Sequence, residues 1–303
     1  MRKEIGQEAS MAPSQEVSGG IRKARPFWKR AFRNVGAVLG IALLALVTLV
    51  GIFAPQISPY DPLAIDMSQK FQPPSGQHLF GTDELGRDMF SRVVMGTRIS
   101  FQVAGEVLVI AGTIGIFLGI LAGYRGGIVD EIIMRAADIF LAFPSFLLAM
   151  AIVAALGASI QNAILAIAIA WWPRYARLLR GQVLAVKNMP FVDAARSIGA
   201  GDLRVMLRHV LPNCLAPLVV QFTTDAGAAI LSTSALSFVQ LGARPPMPEW
   251  GLMISQGRNF IVNYWWIPTF PGLAIALAVG GFMFLGDGLR DLWDPQLRGR
   301  GRF

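Results

Sequence analysis

Six side chains could, by type, take part in proton, nucleophile or metal chemistry. Glu106, Asp138 and Asp225 lie in or beside long apolar runs, the only two histidines are His78 and His209, and the only cysteine is Cys214. Paired carboxylates are the raw material of general acid–base hydrolysis. Asp138 and Asp225 could form such a pair inside a membrane, yet no other part of a hydrolytic site accompanies them. One cysteine excludes an intrachain disulfide, and two histidines far apart in sequence do not suggest a metal centre. The sequence carries no G-x-x-x-x-G-K-[ST] phosphate loop and no G-x-S-x-G nucleophile elbow. The chain therefore does not read as an enzyme on its own. Glu106 and Asp225 read instead as charges within spans, each costing ~2.5–3.5 kcal/mol on insertion scales. They belong along a polar path through the membrane or in a buried network between subunits, unless Glu106 sits toward the outer interface or is protonated.

Long helices must carry these charges. The 303 residues are 54% apolar and 15% charged, against ~25% charged in ordinary soluble domains. A helix crossing ~30 Å of hydrocarbon needs about 20 mostly apolar residues. Residues 35–54, 99–124, 139–173, 214–239 and 267–286 meet that requirement, and Gly157-Ala158-Ser159 with Gln161-Asn162 divide the third run in two. The pattern predicts an all-α integral membrane protein with six transmembrane helices. Gly112, Gly115, Gly119 and Gly123 recur at the small-x-x-x-small spacing of close helix packing. Trp171-Trp172 and Trp265-Trp266 read as interfacial anchors.

Orientation follows from lysine and arginine placement. With the N-terminus inside, segments 1–33, 124–135, 174–208 and 289–303 hold 21 of the 27 basic residues. Both termini are therefore expected in the cytoplasm, and the net charge of +8 needs no nucleic acid to explain it. The polar, small-residue start of the tail reads as disordered, and the first span as an uncleaved signal anchor. The expected organisation is a cytoplasmic basic tail (1–33), a first span with an extracytoplasmic segment (34–97), a domain holding the remaining spans (98–290) and a cytoplasmic tail (291–303).

Between the fourth and fifth spans lies a mixed, charged stretch, FVDAARSIGAGDLRVMLRHVLPN (191–213). Phe191, Ala194, Ala195 and Ile198 share one helical face, as do Leu203, Met206, Leu207, Val210 and Leu211. Asn188 is a plausible N-cap, with Pro190 tolerated in the first turn. Gly199 suits the position past the helix end, Asp202 could cap the second helix, and Pro212 marks its end or bend. Small side chains at Ala194, Ala195 and Gly199 allow close approach of another backbone. Amphipathicity alone leaves two readings open, a helix pair on the lipid surface and a docking site for a protein.

The spacing Asp193-Ala194-Ala195, three residues, Gly199, nine residues, His209-Val210-Leu211-Pro212 resembles the EAA loop of type I ABC-importer permeases. Asp193 stands for the family's glutamate and His209 for its isoleucine. Phe80-Gly81-Thr82-Asp83-Glu84-Leu85-Gly86-Arg87-Asp88 resembles a signature of the C-type subunit in the dipeptide/oligopeptide permease branch. Gly123-Tyr124-Arg125-Gly126-Gly127, Ala142-Phe143-Pro144, Pro245-Pro246-Met247-Pro248-Glu249-Trp250-Gly251 and Leu285 to Asp291 with Asp294-Pro295 are similar to the same group.

The resemblance implies a type I ABC-importer permease fold in the bacterial cytoplasmic (inner) membrane, multi-pass. The 188–212 loop would form coupling helices seated in a cytoplasmic ABC ATPase, through Phe191, Asp193, Ala194, Ala195, Ile198, Gly199, Leu203, Leu207, His209, Leu211 and Pro212. It further implies one or two ATPase subunits binding ATP and Mg, a homologous second permease, an extracytoplasmic substrate-binding protein, and no cofactor in this chain. The expected cargo is a peptide or a related small solute. A gradient-driven secondary transporter or channel is the alternative, and it predicts transport without ATP.

Overall fold

A computed structural model describes residues 34–293. The tails 1–33 and 294–303, with the Asp294-Pro295 part of the terminal motif, lie outside the described residues. Among the described residues every regular element is helical. Asn34 caps α1 (Val35–Ile52), its side chain accepting from the Ala37 amide at 3.1 Å. α1 packs on α9 (Trp266–Trp293) with almost no intervening side chain, since a Cβ on Gly40 would lie 2.4 Å from the Leu285 amide nitrogen.

α2 (Met89–Arg125) runs 37 residues and packs along α5 (Ile160–Val186). Three of the four spaced glycines make this contact. A Cβ on Gly115 would sit 2.4 Å from Tyr175 Cβ, one on Gly119 2.6 Å from the Ala176 carbonyl oxygen, and one on Gly123 2.8 Å from Val183 Cβ. α7 (Leu215–Phe238) completes the core with α2, α5 and α9 around Val107, Ala111, Ile167, Tyr175, Leu179 and Ile230.

Against the six expected, four continuous helical stretches among the described residues are long and apolar enough to cross a membrane, Val35–Ile52, Met89–Arg125, Asp202–Phe238 and Trp266–Leu292, or five if a bent pair counts as one. α5, the expected fourth span, is not among them because its second half is basic. The expected third span is a bent pair, α3 (Gly127–Leu141) and α4 (Ser145–Leu156), turning 88° at Ala142-Phe143-Pro144. Phe143 precedes a proline and is thereby biased away from helical backbone. At the expected break Gly157 takes φ +93 and Ser159 caps α5, its Oγ accepting from the Asn162 amide. α5 is apolar only to Pro173 but stays helical to Val186, so its basic second half is not a loop. Arg177 pairs with Asp138 on α3, and Arg180 donates to both carboxylate oxygens of Asp130 at 2.5 and 2.6 Å.

The FGTDELGRD stretch folds over the chain's own helix ends. Gly81 and Gly86 both take φ +72, and a Cβ on Gly86 would lie 1.8 Å from the Asp66 carbonyl oxygen. Asp83 accepts from Arg87 Nε at 2.6 Å, and Trp266 Nε1 donates to the Thr82 carbonyl at 3.1 Å. Asp88 caps α2 by accepting from the Ser91 amide at 2.7 Å, and its other oxygen meets His78 Nδ1 at 2.9 Å. Asp88→Ala removes both contacts from a buried site. We expect it to cost about 0.5–2 kcal/mol, the usual range for a lost N-cap, read as a lower unfolding temperature of the purified chain in mild detergent. An unchanged melting temperature would contradict this assignment.

The PEWG motif opens α8 (Trp250–Gly257), which tucks between α7 and α9. Glu249 caps it, accepting from the Gly251 and Leu252 amides at 3.0 and 2.8 Å. Burial pushes the Glu249 carboxyl above the usual carboxylate range. Trp250 is fully buried against Gly96 and donates to the Val93 carbonyl at 2.9 Å. The tryptophan pairs depart from expectation: Trp171, Trp172 and Trp266 are buried and only Trp265 is exposed. Trp172 packs edge-on against Phe140, so packing between helices, rather than the interface, fixes these rings.

Candidate coupling segment and buried network

The stretch 188–212 joins α5 to α7 at the end of the bundle where α2 terminates. Its first helix is α6 (Pro190–Ser197), capped by Met189 rather than Asn188. The reason is local: Pro190 clashes with a helical residue before it, which holds Met189 extended at φ −80, ψ 146. Gly199 takes φ +84 just past the helix end, where a Cβ is disfavoured. Gly201, not Asp202, is the cap of the next helix. From Asp202 the chain stays helical into α7, through a π-helical turn at Val205–Val210 and a 3₁₀ turn at Leu211–Cys214. Pro212 therefore does not end the helix. The change of pitch accommodates it, and the Asn213 side-chain amide donates to the His209 carbonyl at 2.7 Å.

The expected faces are redistributed. Val192, Ala195, Val205 and Val210 face the bundle and are buried. Phe191, Ala194, Leu203, Leu207 and Ile198 are exposed, with Ile198 at 86% and Leu203 at 66%. Asp193, Gly199 and Pro212 are also exposed, and His209 and Leu211 are half-buried. Ala195 is thus taken by the chain's own packing, while Ala194 and Gly199 remain open. The outcome is a short segment that leaves several large apolar side chains bare, together with the exposed Arg196, Arg204 and Arg208.

Three ties hold this segment to α2, and sequence reasoning missed all of them. Lys187 Nζ donates to the Gly123 carbonyl at 2.8 Å, Tyr124 Oη to Asp202 at 2.8 Å, and the Arg196 guanidinium lies 5.8 Å from the centre of the Tyr124 ring. The one available signal was the Gly-Tyr-Arg-Gly-Gly resemblance, which assigns no partner to the tyrosine.

Asp225 and Glu106 have opposite surroundings. Asp225, on α7, is 5% exposed. Its Oδ2 accepts from Tyr175 Oη at 2.8 Å and Gln221 Nε2 at 3.0 Å, while Arg174 lies 4.0 Å from Oδ1. Arg174 also donates to Ser145 Oγ at 2.9 Å, so α4, α5 and α7 meet in one polar network. Asp225 and Asp138 pair with different arginines, Arg174 and Arg177, rather than with each other. Glu106 is exposed on α2 and is met only by Gln102 Nε2 at 2.8 Å. Among the described residues it belongs to no buried network.

Comparisons with known proteins agree with this architecture. Residues 115–299 match the family described as binding-protein-dependent transport system inner membrane component. Residues 24–74 match the N-terminal TM domain of oligopeptide transport permease C. A probable D,D-dipeptide transport system permease protein of Escherichia coli (strain K12) is 48% identical, over 87% of this chain and 88% of the relative. A dipeptide transport system permease protein of Alkalihalophilus pseudofirmus is 43% identical, over 96% of each chain. A glutathione transport system permease protein of Pectobacterium atrosepticum is 44% identical, over 90% of this chain and 91% of the relative. Among solved structures, the inward-facing MetNI methionine ABC transporter matches with a TM-score of 0.50 at 20% identity, over 68% of this chain and 98% of that one. That likeness concerns the fold, a type I ABC-importer permease architecture. The family match over most of the helical bundle, joined to identities above 40% along nearly the whole chain, makes this protein a member of the binding-protein-dependent transport system inner membrane components.

Proposed function

We propose that this chain is the transmembrane subunit of an ATP-driven importer of peptides, or of a closely related small solute. Relatives named for dipeptides, D,D-dipeptides and glutathione support that cargo class. The chain works without a nucleotide site of its own. ATP and Mg are bound by one or two ATPase subunits, a homologous second permease forms the other half of the path, and an extracytoplasmic binding protein delivers the cargo. Both termini and the 188–212 segment lie on the cytoplasmic side, in keeping with the distribution of basic residues.

The observation that carries the reading is the exposure of the apolar side chains Phe191, Ile198, Leu203 and Leu207 on a rigidly tied segment. Large side chains left bare beyond the spans mark a protein interface. Closure of an ATPase would push on these side chains, and the fixed connections to α2, α5 and α7 would carry the push into the spans. Alternating access then results from rigid-body rocking about the path.

Ile198→Asp with Leu203→Asp tests this without disturbing the core, because both side chains point outward. Pull-down of the tagged chain in mild detergent is expected to recover at least tenfold less ATPase while still recovering the second permease. Undiminished ATPase recovery would sink the assignment.

A further inference from the structure

On α2 one face stays bare among the described residues, and in its outer half that face is polar. Arg98, Gln102 and Glu106 are all exposed and recur at every fourth residue, with Gly105 beside them leaving open space. Gln102 bridges downward to Glu106 at 2.8 Å, whereas Arg98 makes neither an ion pair nor a side-chain hydrogen bond among the described residues. Arg98 and Gln102 border a groove of about 400 Å³ shared with Thr48 and Ile52 of α1. At 1.5 Å per residue, Arg98 and Glu106 lie ~12 Å apart along the helix axis, too far to neutralise each other directly. With Arg98 at the outer edge of a hydrocarbon layer ~30 Å thick, that distance carries Glu106 well inside it. A carboxylate facing lipid at that depth is costly, and such residues face a water-filled cavity or a partner group instead.

Resting on the peptide-importer reading, we propose that Arg98, Gln102 and Glu106 form a ladder on the wall of the translocation path that holds a zwitterionic short peptide by its two ends. Arg98 takes the terminal carboxylate in a two-pronged hydrogen bond, Glu106 takes the terminal ammonium, and Gln102 bonds the peptide backbone between them. An extended chain spans at most ~3.3–3.6 Å per residue, so end rungs ~12 Å apart suit three or four residues. The ladder releases its cargo readily, because each end is held by a single exposed group.

The test uses the complete importer in vesicles, with its binding protein saturated by a zwitterionic tripeptide. Peptide uptake per ATP hydrolysed is expected to fall about tenfold in Glu106→Gln and in Arg98→Gln. Glu106→Asp should keep most of it. The double exchange Arg98→Glu with Glu106→Arg should transport better than either reversal alone, since a zwitterion can bind the inverted ladder end for end. Uptake per ATP that stays unchanged in the glutamine variants would overturn the ladder and leave the face to lipid. Loss of the second permease on co-purification would also overturn it, making the face a subunit contact. Failure of the unaltered importer to take up any peptide would remove the peptide reading, and the ladder with it.

Discussion

Gly119→Leu is expected to abolish accumulation of folded chain in the membrane. At this position α2 and α5 touch backbone to backbone, and a bare Cβ would already lie 2.6 Å from the Ala176 carbonyl oxygen and 2.9 Å from its Cα. Neither atom belongs to a side chain that could rotate away. A leucine adds three further carbons, so the helices must separate along a contact that also includes Gly115 and Gly123. Overpacking a core ordinarily costs about 1–3 kcal/mol. Here the displaced atoms are main chain, and the whole small-residue contact is lost with them. The measurement is the amount of monodisperse, detergent-extracted chain on size-exclusion chromatography, with Gly181→Leu as the control. Gly181 lies on α5, where a new Cβ meets nothing within 4 Å. Equal yields for the two variants would show that the close contact does not hold the bundle.

Asp225→Ala is expected to destabilise the chain by about 2 kcal/mol or more, the scale of hydrogen bonds to a charged group. The variant strands the Tyr175 hydroxyl, itself fully buried, and withdraws the carboxylate that faces Arg174. Asp225→Asn keeps an acceptor for Tyr175 and should cost about half as much. Tyr175→Phe should cost about 1 kcal/mol, within the ordinary range for one hydrogen bond. Combined with Asp225→Ala, it should be distinctly less than additive, because both changes remove the same bond. Thermal unfolding of the variants and the unaltered chain in one detergent measures the cycle. Strict additivity would mean that the Tyr175–Asp225 bond does not link α5 to α7. This link matters for function because α5 and α7 are the two helices joined by the 188–212 segment. Under the proposed coupling role, a bond across them would make the pair move together.

The amino-acid sequence by itself determined the class of the protein. Apolar run length is a one-dimensional quantity, so four of the expected spans could be read directly. The bend at Phe143-Pro144 and the basic second half of α5 made the third and fourth depart from straight apolar crossings. The breaks at Gly157-Ala158-Ser159 and at Gly199 were legible for a related reason, because a helix end is set by the residues that form it. The cap of α6 slipped by one position because the proline rule at Met189 outweighed the better capping side chain of Asn188. Tertiary structure alone decided the rest. In and just after α6, Phe191 and Ile198 are at least as apolar as Val192 and Ala195, so periodicity could not say which pair the bundle would claim. Asp225 and Glu106 look alike in sequence, each a carboxylate inside an apolar run. One is satisfied by Tyr175, 50 residues away in the chain, and the other is left bare. Burial depends on which helices pack together, and that is settled by the whole set of close glycine contacts at once.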